Sequence, residues 1–303
     1  MSDVPGENLP EPWFAERSGV VLLYRINRRP LPEPSLFAHQ PELFMDHLVE
    51  VLQFGVPEVT GRRNKREWRL GNREITPDED ALFGQIGWVR TDYRAADHYN
   101  EAEMRWEDIV EGREVSARAP FVIDGGSRIL GVLQHPSFAP TTVAKVFENL
   151  LRRGEEAREA ASTEWSVEPI LDEQDFLSWL RSVDSVQRIM MVAKLPNPDA
   201  LPEFEPVWDR MQQRKARLLK EIMEAANVEV GLQDLEEDAQ VRAFLAMGTN
   251  AFGYVVADGR RGRHDTRYDQ RERSAHERTD ELPSNWMQVL GIMLSMIRDR
   301  RRQ

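Results

Sequence analysis

Two apolar runs separated by a glycine pair constrain the fold of this chain more than any other feature. The first run is FVID (residues 121–124) and the second is RILGVLQ (residues 128–134), with Gly125, Gly126 and Ser127 between them. Glycine pairs favour tight reversals, and runs of apolar and β-branched residues favour strands. The pattern therefore predicts a β-hairpin, which requires antiparallel pairing.

Further strand and helix patterns are mixed irregularly along the chain. Strands are predicted at 19–28, 81–93, 104–109, 119–124, 164–170, 187–195 and 252–257, with a hairpin over 59–75 whose turns lie near Asn64 and at Gly71-Asn72. Apolar spacings of three and four residues predict helices at 41–53, 140–153, 173–181, 206–226 and 283–300. This mixture predicts an α+β fold with largely antiparallel sheets and packed helices.

The chain is long enough for two domains, with 303 residues. A charged, alanine-rich segment at 154–163 divides it into a predicted N-terminal α+β domain, residues 19–155, and a C-terminal α+β domain, residues 156–303. Residues 1–18 are rich in proline and acidic residues, and we predict that they form a flexible lead.

Composition narrows the classes of function and location. The chain has no cysteine, which excludes disulfides, thiol nucleophiles and thiolate metal sites. Its first residues lack the basic start and apolar run of a signal peptide. The most apolar segment, residues 286–297, is shorter than the roughly 20 residues that span a bilayer. We therefore expect a cytoplasmic protein.

Sequence motifs of catalysis are absent. The six histidines show neither HxxxH nor HExxH spacing, and no GxSxG nucleophile motif occurs. Gly125-Gly126 lacks the lysine and hydroxyl residue of a phosphate-binding loop. We expect no catalytic residue, no metal site and no cofactor. An effector enzyme such as a nuclease, with carboxylates such as Asp124 or Asp258 brought together from distant segments, is the alternative.

The strongest functional signal is a concentration of basic residues on a chain whose net charge is −12. Trp68 lies among these residues, and Glu67 is the one acidic residue in the run. A two-stranded ribbon that carries arginines can follow DNA phosphates, because a guanidinium group makes paired hydrogen bonds to phosphate oxygens. A solvated surface hairpin is the alternative. This first basic cluster comprises Arg62, Arg63, Lys65, Arg66, Arg69 and Arg73.

A second basic cluster, Arg260, Arg261 and Arg263, surrounds Gly262. Acidic residues alternate with further arginines beyond it, so its excess of positive charge is small. Together the two clusters predict sequence-independent binding of double-stranded DNA, with about four phosphates contacted.

Three segments in the middle of the chain follow one another in a distinctive order. They are FVIDGGSRILGVLQHPSFAPTTVAKVFENLL (residues 121–151), WSVEPIL (residues 165–171) and IMMVAKLPNP (residues 189–198). Their order of hairpin, helix opened by Pro-Thr-Thr, strand, short helix and long apolar strand resembles that of the RexA phage-exclusion proteins and related uncharacterised phage-defence families. The resemblance implies a homodimeric DNA-binding protein of bacterial or prophage origin that acts in phage defence beside a membrane-protein partner encoded nearby.

The last predicted helix bears on self-association. Apolar residues, among them Leu290 and Met293, lie around most of its circumference. Either the core of the chain or a second copy would bury them. We expect a homodimer to which this helix contributes. A non-catalytic interaction subunit of a defence complex is a further alternative for the function.

Overall fold

Two antiparallel sheets organise the protein, and the chain passes from the larger sheet to the smaller one and back again. The computed structural model describes residues 18–30, 43–54, 57–61, 65–76, 80–100, 105–158, 163–194, 205–272 and 276–302. The predicted flexible lead lies outside the described residues, except for Ser18.

The larger sheet contains eight strands. They are β1 (Gly19–Pro30), β2 (Glu58–Thr60), β3 (Arg66–Thr76), β4 (Ala81–Asn100), β5 (Arg105–Asp124), β6 (Ile129–Leu133), β7 (Thr163–Pro169) and β12 (His276–Thr279). Their order is β12-β1-β6-β5-β4-β3-β2, and β7 also pairs with β1. β12 and β7 pair with successive parts of β1, and all of these pairings are antiparallel.

Helices cover both faces of the larger sheet. On one face, α1 (Phe44–Gln53) and α2 (Pro140–Ala157) pack in a core that includes Leu22 and Tyr24 of β1. On the other face, α6 (Trp286–Arg302) packs in a core that includes Val21 and Leu23. Because successive strand residues face opposite sides, the alternation along β1 places the two helical layers on opposite faces.

The smaller sheet has the order β11-β10-β8-β9. Its strands are β8 (Ser185–Lys194), β9 (Leu218–Glu224), β10 (Gly253–Arg261) and β11 (His264–Asp269). Three helices, α3 (Glu173–Ser182), α4 (Glu205–Gln213) and α5 (Ala239–Thr249), complete a separate core around Phe176, Met211 and Phe244.

The structure confirms the α+β class and the glycine hairpin. Phe121 of β5 pairs with Val132 of β6, and Asp124 pairs with Ile129. A Cβ atom on Gly125 would lie only 2.3 Å from Cγ of Met45. The turn therefore needs glycine at this position, since any side chain would collide with α1.

The predicted helix at 206–226 is wrong in its second half. α4 ends at Gln213, and the strand β9 begins at Leu218. Lys215 adopts a φ of 51°, and the N–H groups of Lys215 and Ala216 donate to the carbonyls of Gln212 and Met211, which ends the helix. The residues of β9 have high helix propensity, but pairing with β8 overrides it.

Two details of the larger sheet also differ from prediction. Gly71-Asn72 is not a turn, because β3 continues through it with a β-bulge, where the register to β4 shifts between Gly71 and Glu74. The strands predicted at 104–109 and 119–124 form one strand, β5, which pairs with β4 over its whole length. The turn predicted near Asn64 lies outside the described residues.

The apolar residues of α6 are buried within the chain. Leu290 and Met293 are 0 % exposed and pack with residues of β1 and β5. They are therefore not available to a second copy, contrary to the expected role of this helix, and the homodimer itself stays a prediction. Among the described helices, α6 included, none combines the length and the apolar character needed to cross a membrane.

The predicted boundary between residues 155 and 156 falls inside α2. Beyond it, β7, β12 and α6 all join the larger sheet and its cores. The smaller sheet is formed by the residues between β7 and β12.

Candidate nucleic-acid interface

The first basic cluster lies at an edge of the larger sheet. Here β3 is not half of a free ribbon, because it pairs with β2 on one side and with β4 on the other. Lys65 is exposed just before β3. Arg62 and Arg63 lie outside the described residues. Trp68 is 0 % exposed, so it is a core residue and cannot stack on a base.

Arg66 is held against a tryptophan of the next strand. Its guanidinium carbon lies 4.5 Å from the ring centroid of Trp88, and the guanidinium carbon of Arg90 lies 5.5 Å from the same ring. Arg90 also binds Asp92. Cation–π contacts of this kind hold Arg66 on the sheet, so it is less free to reach a phosphate.

The remaining two arginines of this cluster have local partners. Arg69 binds Glu67, two residues before it in β3. Arg73, beyond the bulge, donates to the backbone carbonyl of Leu52 in α1. The structure therefore disperses the first cluster instead of presenting it as one basic stripe.

The second cluster lies on the hairpin of β10 and β11, where Arg261 pairs with His264. Gly262 adopts a φ of 58° in the turn between them. Arg261 fastens this hairpin to α3, since its Nε donates to the carbonyl of Ser182 at 2.8 Å. The N–H of Gly262 donates to the carboxylate of Asp184. Arg261 thus positions the hairpin instead of facing a ligand.

Arg260 and Arg263 are the exposed cations of this anchored hairpin. Within the part of the chain that the structure describes, neither makes an ion pair or a side-chain hydrogen bond. Arg267, further along β11, lies 3.9 Å from Asp258 instead. Because the first cluster belongs to the larger sheet and this hairpin to the smaller one, the two clusters do not form a single ribbon.

The carboxylates considered for an enzyme are engaged elsewhere. Asp124 is buried, accepts hydrogen bonds from the N–H and Oγ of Ser127, and binds Arg298 at 3.1 Å. Asp258 lies 3.9 Å from Arg188 and belongs to a different sheet. Among the described residues, no three histidine or acidic side chains are arranged to hold a metal ion.

A buried network of polar side chains joins α1, α2 and β7. Nε2 of His47 and Nε1 of Trp165 lie 2.8 and 2.9 Å from the same carboxylate oxygen of Glu155. His47 and Glu155 are 4 % and 2 % exposed. This closed arrangement satisfies a buried carboxylate and ties three elements together, which is a structural role.

Sequence reasoning missed three arginines at one end of β1. Arg25 and Arg28 lie in β1, and Arg128 follows the glycine turn between β5 and β6. The available signal was an arginine within the apolar run GVVLLYRINR, where a strand buried on both faces has no need of a charge. The basic clusters drew attention because they were dense in sequence, whereas these three residues meet only in the fold.

Comparison with known proteins places the chain in a family without indicating a function. No curated protein matches it. The family model described as "Domain of unknown function (DUF4747)" matches residues 63–298, a span that includes most of both sheets and the whole β10–β11 hairpin. The resemblance to RexA proteins stays a prediction. The chain belongs to the DUF4747 family.

Proposed function

We propose that this protein binds double-stranded DNA through the phosphate backbone, without sequence preference, as a non-enzymatic component of a bacterial or prophage anti-phage system. The observation that carries the DNA proposal is the anchored β10–β11 hairpin, whose Arg260 and Arg263 are exposed and unpaired within the described structure. The role in phage defence rests on the resemblance to RexA proteins. A cytoplasmic location fits both parts of the proposal, because phage DNA enters that compartment.

The physical basis is local positive charge on an acidic protein. A net charge of −12 repels DNA at long range, so binding depends on a few cations that approach the backbone closely. Arginines on a fixed hairpin lose little conformational freedom when they contact phosphates, and the guanidinium fork matches phosphate oxygens. Lys65 and the neighbouring Arg62 and Arg63 are the second set of contacts in this proposal.

The test is the salt dependence of DNA binding, measured by fluorescence anisotropy with labelled duplexes of two unrelated sequences. Wild-type protein is expected to bind both equally, with log K falling against log salt at a slope near −4 if about four phosphates are contacted. Arg260→Ala/Arg263→Ala is expected to reduce the magnitude of the slope by about two and to weaken binding to both duplexes.

A charge-matched control separates contact from net charge. Arg152 and Arg181 are exposed but already bind Glu156 and Glu236. The variant Arg152→Ala/Arg181→Ala is expected to keep the wild-type slope. Equal slopes for the two double variants would remove the hairpin from the interface. In phage-plating assays, the hairpin variant is expected to protect cells no better than a deletion of the gene.

A further inference from the structure

Arg25 is a charged residue in the middle of an apolar strand. Tyr24 and Ile26, on either side of it, are 0 % exposed. Its one hydrogen bond within the described structure is long, 3.4 Å from Nη1 to the carbonyl oxygen of Ser127, and its Nε is buried with no hydrogen-bond partner. Burial lowers the pKa of Arg25, and the positive charge of Arg128 lowers it further. The fold carries this guanidinium group at a cost that its own side chains do not offset.

Two more guanidinium groups lie beside it. Arg128 follows the glycine turn with a φ of 58°, a conformation that is unusual for a residue with a side chain, and its carbonyl accepts from the N–H of Ile26. The guanidinium carbons of Arg128 and Arg28 lie 5.5 and 5.8 Å from the ring centroid of Phe44. We call Arg25, Arg28 and Arg128 the arginine cluster.

The nearby carboxylates do not neutralise the cluster. Glu168 pairs with Arg25 in the ladder between β1 and β7, but its carboxylate binds Lys194. Asp124, at the start of the glycine turn, binds Arg298. In the part of the chain that the structure describes, neither Arg25 nor Arg128 has an acidic group within salt-bridge distance. Like charges gathered without a counterion destabilise a fold, and an anion would reverse that effect.

We propose that the arginine cluster is a binding site for a phosphate group. A phosphate offers several oxygens and up to two negative charges, so it can accept from more than one guanidinium fork at once, which a single carboxylate does less well. Arg28 is oriented by Nδ1 of His47 at 3.2 Å, and the rings of Phe44 and Phe252 lie against Arg128 and Arg25. The site does not depend on DNA binding at the β10–β11 hairpin.

Isothermal titration and thermal unfolding of the full chain test the site, with inorganic phosphate as the probe and chloride at equal ionic strength as the reference. Phosphate is expected to bind and to raise the unfolding temperature beyond the effect of chloride. Arg128→Ala, which removes a half-exposed side chain from a turn, is expected to weaken phosphate binding by at least about tenfold. Arg152→Ala and Arg260→Ala/Arg263→Ala are the controls, and both are expected to bind phosphate as the wild type does.

A second variant gives a signature that a purely structural arginine would not show. Arg25→Met keeps the length of the side chain and removes the buried charge, so it is expected to raise the unfolding temperature without phosphate and to abolish the phosphate-dependent rise. If Arg25→Met does not fold, Arg128→Ala decides alone. A wild-type protein that responds to phosphate no more than to chloride, or an Arg128→Ala variant with wild-type affinity, would overturn the proposal.

The source of the phosphate is distinguished by the choice of probe. A nucleoside monophosphate is compared with its nucleoside, and a 5′-phosphorylated single-stranded oligonucleotide is compared with its unphosphorylated form. Arg128-dependent binding of the mononucleotide alone indicates a small phosphorylated molecule. Arg128-dependent preference for the phosphorylated oligonucleotide indicates a nucleic-acid end. Both results support a phosphate site, whereas binding to either probe that is unchanged in Arg128→Ala contradicts it.

Discussion

The close contact between α1 and α2 provides a quantitative test of the packing. A Cβ atom on Gly154 of α2 would lie 2.2 Å from the backbone oxygen of Val51 and 2.8 Å from its Cγ1. Because the obstacle is backbone, it cannot rotate away, and Gly154→Ala must move the two helices apart. Overpacking of this kind costs about 3 kcal/mol at the upper end, while the higher helix propensity of alanine returns up to about 1 kcal/mol. We therefore expect the free energy of unfolding to fall by about 2 kcal/mol.

Gly291 of α6 is the matched control for this substitution. It is exposed, and a Cβ atom there would meet nothing within 4 Å. Gly291→Ala should therefore show the propensity term alone and raise the free energy of unfolding by up to about 1 kcal/mol. Urea unfolding, followed by tryptophan fluorescence and circular dichroism, measures both variants. Shifts of the same sign and size would refute the close approach of the two helices.

Three further predictions concern polar groups. Burial and the carboxylate of Asp124 raise the pKa of Asp80, so ionised Asp80 destabilises the fold. Asp80→Asn should raise the urea midpoint at pH 7, and this gain should disappear as the pH falls through the raised pKa; a pH-independent gain would contradict the charge explanation. Glu155→Ala leaves the buried His47 without its carboxylate and should cost about 3 kcal/mol in urea unfolding, whereas a loss under about 1 kcal/mol would show that the network relaxes. Asp238→Ala removes the N-cap of α5 and should cost about 1 kcal/mol, measured in the same way, with an unchanged midpoint counting against the cap.

Local patterns were sufficient for much of the fold. The apolar run of β1 and the glycine turn before Arg128 both act over a few residues, so they are legible in the sequence. β9 was not legible in this way. Its exposed Leu218 and Ile222 and its half-buried Leu219 and Met223 also suit a helix, and the choice of a strand depends on pairing with β8, which lies distant in sequence.

The candidate sites were less predictable, because charge density along the chain does not reveal partners. Arg69 is bound by Glu67 on its own strand, and Arg261 by a carbonyl of α3. The arginine cluster shows the opposite case. Arg25 and Arg128 are distant in sequence and come together because β1 pairs with β6, so only the topology reveals the charge that they share.

The return of the chain to the larger sheet has a consequence for folding during synthesis. β12 pairs with the first residues of β1, and Val289, Leu290 and Met293 of α6 complete a core with Val21 and Leu23. These contacts join residues from opposite ends of the described chain, and contacts of such high sequence separation form slowly. Until residues 276–302 leave the ribosome, one face of the larger sheet has no cover, while the smaller sheet already has all its strands. The smaller sheet should therefore fold first, and the nascent larger sheet should be the part that needs a chaperone.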